Sequence, residues 1–145
     1  MNIDFHLLTR VGAWRADPLR TLQYTEQKYS KIPQQLQSFL AQKSDLKDTL
    51  KERLENFGMA FSTYQKCIFF KDNDLAEYTF QLKGQEGQLL IFEEDQDLLV
   101  CFDICELDSE HFVLYDKAEN MYFYGIFDAY IAKQPEAVQA MFEQV

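Results

Sequence analysis

At Gly58 the apolar pattern changes period, and from there to Phe127 the chain reads as a succession of short strands. Before that point Leu46, Leu50, Leu54 and Phe57 recur at helical spacing, and Gly58 stands where a left-handed cap would end a helix. Beyond it, "MAFSTYQKCIFF" mixes alternation with an apolar end and reads as a strand. "DLAEYTFQLK" sets Leu75, Glu77, Thr79 and Gln81 against Ala76, Tyr78, Phe80 and Leu82, the mark of a strand with one buried face. The glycines of "KGQEGQ" signal a turn, and "QLLIFE", "LLVCFDI", "HFVLYD" and "MYFYGIF" follow as further strands. "DAYIAK" and "PEAVQAMFEQ" read as two short closing helices.

The first part of the chain is helical. Asp17-Pro18 has the form of an N-cap followed by proline in the first turn, and Leu19, Leu22 and Tyr29 follow at roughly helical spacing. Ile32-Pro33 restarts a helix, with Leu36, Phe39 and Leu40 on one face, ahead of the third helix that ends near Gly58. Residues 18–57 are thus expected to be mainly helical and 59–126 mainly strand. That order predicts an α+β fold: N-terminal helices packed on a mostly antiparallel β-sheet, with short C-terminal helices. A single domain over residues 1–145 is long enough to bury a core without metal or disulfide staples. Leu50, Leu54, Phe80, Ile91, Val100 and Phe123 are expected in that core.

Charge is distributed unevenly. The net charge is −10, and residues 84–116 carry ten acidic side chains and no basic one. Residues 1–83 hold twelve Lys/Arg against ten Asp/Glu, and the rest of the chain two against four. Such a field opposes phosphate backbones and anionic lipid surfaces, and it favours a basic protein partner. No apolar run is long enough to span a bilayer, and "MNIDFHLLTRVGAWRADP" does not read as a secretory signal. Cys67, Cys101 and Cys105 form an odd set without a CxxC pair, which suits a reducing compartment, the cytoplasm.

Two stretches together resemble the SUKH superfamily. "TEQKYSKIPQQLQSFLAQ" is similar to its first signature, an amphipathic helix leading to an Ile/Leu-Pro step and a second helix ending in Phe-Leu. Ile32, Pro33, Leu36, Phe39 and Leu40 stand at those positions. "LIFEEDQDLLVCFDI", "LDSEHFVLYD" and "FDAYIAK" resemble its second half, with Glu93, Glu94, Gln96, Tyr115 and Phe127 at the matching places. The likeness covers roughly residues 19 to 133. It implies an α+β fold and, in bacteria, frequent service as an immunity protein that neutralises a toxin, often a nuclease, by binding it. It brings no catalytic residues with it.

The residues themselves point the same way. His6 and His111 are isolated, and Cys101, Cys105 and His111 fall short of the four Cys/His ligands zinc prefers, so no metal or other cofactor is expected. Cys105 and His111 lack an oxyanion loop, and the paired carboxylates Glu93/Glu94 and Asp95/Asp97 sit in a turn that gives no burial to raise a catalytic pKa. An enzyme is not expected. The acidic run either solubilises a sheet edge or forms an interface. For the interface, Glu93, Glu94, Asp95, Asp97, Asp103, Glu106, Asp108 and Glu110 are the candidate partner-binding acids. Tyr122 and Tyr124 join them as aromatic anchors, since they alternate with Met121 and Phe123 and should point away from the core together. The expectation is a toxin-neutralising protein that binds a basic toxin domain. Its alternative is an adaptor of the same fold that holds an endogenous protein partner.

Overall fold

The computed structural model describes residues 3–143. It corrects the expected fold class: the strands do not form an open sheet with helices layered on it, but close into an eight-stranded antiparallel barrel. The strands are β1 (Ala13–Ala16), β2 (Phe57–Phe61), β3 (Lys66–Lys71), β4 (Asp74–Lys83), β5 (Gln88–Phe92), β6 (Leu98–Leu107), β7 (His111–Asp116) and β8 (Met121–Asp128). Closure depends on β1, four residues that escape a period-two reading. Trp14 and Arg15 pair with Met59 and Gly58 on one side, while Ala13 to Ala16 pair with Asp128 to Gly125 on the other. With both neighbours found, the sheet has no free edge, and the backbone groups an open sheet would leave exposed are paired.

The barrel interior is the main core. Trp14, Phe61, Leu89, Ile91, Phe112 and Leu114 are fully buried in it, and Met59, Cys67, Phe80, Phe102 and Phe123 join them. Aromatic rings meet there at 4.8–6.4 Å, as in Trp14–Phe127, Phe61–Phe80 and Phe112–Phe123, so the lumen is filled by side chains rather than left as a ligand cavity. One end is plugged by the N-terminal segment. There the short helix α1 (Phe5–Leu8) inserts Leu8, whose carbonyl accepts a hydrogen bond from the Trp14 indole. Of the six expected core residues, Leu50, Phe80, Ile91 and Phe123 are buried, while Leu54 and Val100 are half-buried against the same cluster.

Helices cover the barrel from outside. α2 (Pro18–Tyr29) begins as its sequence predicts: the Asp17 carboxylate accepts from the Arg20 amide and Pro18 occupies the first turn. It also replaces β1 where that strand runs out. The Asp17 amide donates to the Tyr124 carbonyl, and the Tyr124 amide donates to Thr21 Oγ1. The two helices expected after Pro33 are one, α3 (Pro33–Leu54), which packs Phe39 and Leu50 against Leu22 of α2. Leu40, assigned to the same face, is 51% exposed. α3 stops before Gly58. The left-handed residue after it is Asn56, whereas Gly58 lies inside β2, where a Cβ would meet the Phe70 ring at 2.3 Å. The segment expected as one strand after Gly58 is two, β2 and β3, joined by residues 62–65. "DAYIAK" contains only a 3-10 turn at Ile131–Lys133, and α4 (Glu136–Glu143) seats Val138 and Met141 on the outer face of β1–β3, against Ala13, Ala60, Ile68 and Phe70.

Candidate functional site

Two outer sectors of the barrel are therefore covered, β7–β8 and the end of β6 at Cys105 by α2 and β1–β3 by α4, and β4, β5 and the first half of β6 are left bare. On β4, Leu75, Glu77, Thr79, Gln81 and Lys83 are all exposed. Across β5 and β6, Leu90, Phe92 and Cys101 are half-buried, and Leu98 and Leu99 are 53% and 44% exposed. Leu99 is the extra residue of a β-bulge opposite Ile91–Phe92, which lifts it out of the ladder.

The β5–β6 turn edges this sector. It is closed by hydrogen bonds from the Glu93 amide to the Asp97 carbonyl and from the Gln96 amide to the Glu93 carbonyl, each 2.9 Å. Gln96 takes a left-handed φ of 69° to make it. Glu93, Glu94, Asp95 and Asp97 are all exposed, and among the described residues none of them is in an ion pair. Such a turn puts four exposed carboxylates, outside any ion pair among the described residues, beside two exposed leucines.

The other candidate acids lie elsewhere. β6 runs ten residues between the two turns it connects, roughly 30 Å of extended chain, so the acidic run that is continuous in sequence is divided in space. Asp108 and Glu110 occupy the far turn, among cations. His111 Nδ1 is 3.3 Å from Asp108, Arg20 lies 3.5 Å from His111 Nε2, and Arg10 donates to the Ser109 carbonyl at 2.6 Å. Amides of Glu110 and His111 donate to the Asp108 carboxylate and hold it below the usual aspartate range. Asp103, on the outer face of β6, pairs with Lys117 at 3.5 Å.

Tyr122 and Tyr124 do point out of the barrel together, yet they are half-buried under α2. Tyr24 of α2 meets their rings at 5.2 and 6.1 Å, and Tyr115 meets Tyr122 at 4.7 Å with the ring planes tilted by 37°. Tyr24 also lies beside Cys105, which a second bulge on β6 turns outward, with Glu106 next to it. Burial first, and then the neighbouring Cys105 and tyrosines, push Tyr122 up to about 12; burial likewise raises Tyr24 and Cys105. Cys105 thus neighbours Tyr24 of α2 rather than His111. Among the described residues no three His, Cys, Asp or Glu side chains converge as a metal site, and no helix is long and apolar enough to cross a membrane.

Charge counting could find the β5–β6 turn, and did. The bare β4–β6 wall carries no sequence signal, because exposure depends on which strands the helices happen to cover.

No family model matches the chain, and no curated protein matches it. Among solved structures it is similar to the crystal structure of a DUF4847 family protein from Bacteroides vulgatus ATCC 8482, with a TM-score of 0.49 at 11% identity. The likeness covers 91% of this chain and 100% of that one.

Proposed function

We propose that the protein is a binding protein for a cationic protein partner, docked on the bare β4–β6 wall with the β5–β6 turn at its rim. The carrying observation is that turn: four exposed carboxylates without an ion pair among the described residues, next to exposed Leu98 and Leu99. An apolar centre with charge at the edge is the composition of a surface that attracts a partner electrostatically and holds it by burial. The support is this surface, since the closed barrel is not the fold the SUKH resemblance implied. In its narrower form the proposal is neutralisation of a basic toxin domain in the cytoplasm, with an endogenous partner as the alternative. Asp103 lies on the β6 side of this wall, tied to Lys117, whereas Glu106, Asp108, Glu110, Tyr122 and Tyr124 lie outside the docking surface proposed here.

Co-purification from the native host identifies the partner, and stopped-flow association at two salt concentrations tests the surface. Lysine at Glu94, Asp95 and Asp97 is expected to slow association at least about tenfold at low salt, with the difference shrinking once screening acts over about 10 Å at 0.1 M. A charge-reversed protein that associates at the wild-type rate in low salt rejects the reading. A partner that is acidic on its docking face rejects it as well.

A further inference from the structure

The β5–β6 turn also forms one wall of a trough at the β4 margin of the proposed docking surface. β4 is long enough to pair with β3 through Asp74–Thr79 and with β5 through Thr79–Lys83, so its two neighbours are offset along it. That offset brings the loop before β3 opposite the turn after β5, across outward-facing Thr79 and Gln81. Between them lies a space of about 570 Å³, within the roughly 300–1,000 Å³ of small-ligand sites. Tyr64, Gln65 and Lys66 form one wall, and Phe92, Glu94 and Gln96 the other.

Each wall is shaped by a glutamine in the left-handed region, Gln65 at φ 66° and Gln96 at φ 69°. Glycine holds that conformation at less cost, and glutamine brings a carboxamide to the trough instead. Three carboxamides and the Thr79 hydroxyl present donors and acceptors together. Tyr64, 61% exposed, presents a flat ring. Lys66 and Glu94 cancel in charge, and among the described residues neither is in an ion pair.

This chemistry discriminates between ligands. A lipid chain would strand the polar floor without partners. A nucleotide would meet one ammonium against the four carboxylates of the turn. An extended peptide finds no full-length edge to extend, because β3 already pairs Asp74–Thr79 of β4 and β5 pairs Thr79–Lys83. A neutral sugar ring matches: its hydroxyls both donate and accept, and its C–H face, slightly positive, suits the negative face of a tyrosine ring. We propose that the trough binds a neutral saccharide, the ring resting on Tyr64 and its hydroxyls held by Gln65, Gln81, Gln96 and Glu94. The inference stands apart from partner capture, since sugars bind or fail to bind whether or not a cationic partner exists.

The test is an NMR titration of the full ¹⁵N-labelled chain with maltose, cellobiose and N,N′-diacetylchitobiose, with the dipeptide lysylglutamate as a competing chemistry. At least one saccharide is expected to give saturable shifts confined to the amides of residues 64–66, 79–81 and 94–96. Tyr64→Ala and Gln81→Ala, both at exposed positions, are expected to keep the native spectrum and to weaken that saccharide at least about tenfold. The proposal is overturned if no saccharide produces saturable shifts, if affinity is unchanged in Tyr64→Ala, or if the dipeptide binds the trough more tightly than every sugar.

Discussion

Asp128 is where single-residue chemistry bears most on stability. Its Oδ2 and Arg15 Nε are buried 3.2 Å apart, off line for a hydrogen bond, and Lys133 Nζ stands 3.8 Å away. Burial raises its pKa, but the Tyr130 amide, Gln134, Lys133 and Arg15 outweigh that and hold it below the ordinary aspartate value. A depressed folded pKa stabilises above the unfolded value and loses that contribution as pH falls through the folded one. Asp128→Asn is therefore expected to cost on the order of 1–2 kcal/mol at pH 7. The difference from wild type should close as denaturation is followed down from about pH 4, the unfolded value. Cys67 is the complementary case, fully buried and pushed up to about 12 by that burial alone. A thiol reagent at neutral pH should reach Cys101 and Cys105 in the native protein, and find the third thiol only after denaturation. Labelling of Cys67 at the rate of an exposed thiol would show that the barrel opens readily.

Among the elements, β1 is the seam and α3 the external brace. Gly12, which enters β1, has φ of 139°, and a Cβ there would come within 2.5 Å of the Asp128 carbonyl. Gly12→Ala should thus strain the ladder between β1 and β8 and cost at least about 1–2 kcal/mol in denaturant unfolding. Leu50 is 2% exposed between Leu22 and Phe39. Leu50→Asp places an unpaired charge there and should remove several kcal/mol, most of the stability of a small domain; an unchanged melting midpoint by circular dichroism would contradict the α2–α3 packing. Some of these elements were legible to the residue. The alternation in "DLAEYTFQLK" marks β4 at Asp74–Lys83, because a strand with one wet face and one buried face advertises its period. The join of two expected helices into α3 was hidden, since Gln42 to Asp45 are polar yet perfectly compatible with an exposed helical turn.

For the whole molecule, the filled barrel and its single seam predict one cooperative unfolding transition, with fluorescence of Trp14 and far-UV circular dichroism coincident. Charge reversal at Glu94, Asp95 and Asp97 should leave that transition almost unmoved, within about 0.5 kcal/mol, because all three are exposed and outside any ion pair among the described residues. Tyr122→Ala should behave oppositely, losing on the order of 2 kcal/mol through the ring contacts with Tyr24 and Tyr115. Comparison of these two variants separates surface charge at the β5–β6 turn from packing under α2.

What the amino-acid order determined by itself is local. The Asp17-Pro18 start of α2, the periods of the strands, the turn at Glu93–Asp97 and the concentration of acid in residues 84–116 all follow from interactions among near neighbours, and all can be read from residue types. Closure could not be read, because it joins Ala13–Ala16 to Gly125–Asp128 across nearly the whole chain, and four residues are too few to display a period. Closure decides that there is a lumen and which strands the helices leave bare, while the length of β6 cuts the acidic run in two and the offset of β3 and β5 along β4 brings Gln65 and Gln96 to one trough. Long-range pairing sets those relations, and it leaves no mark on any single segment of the chain.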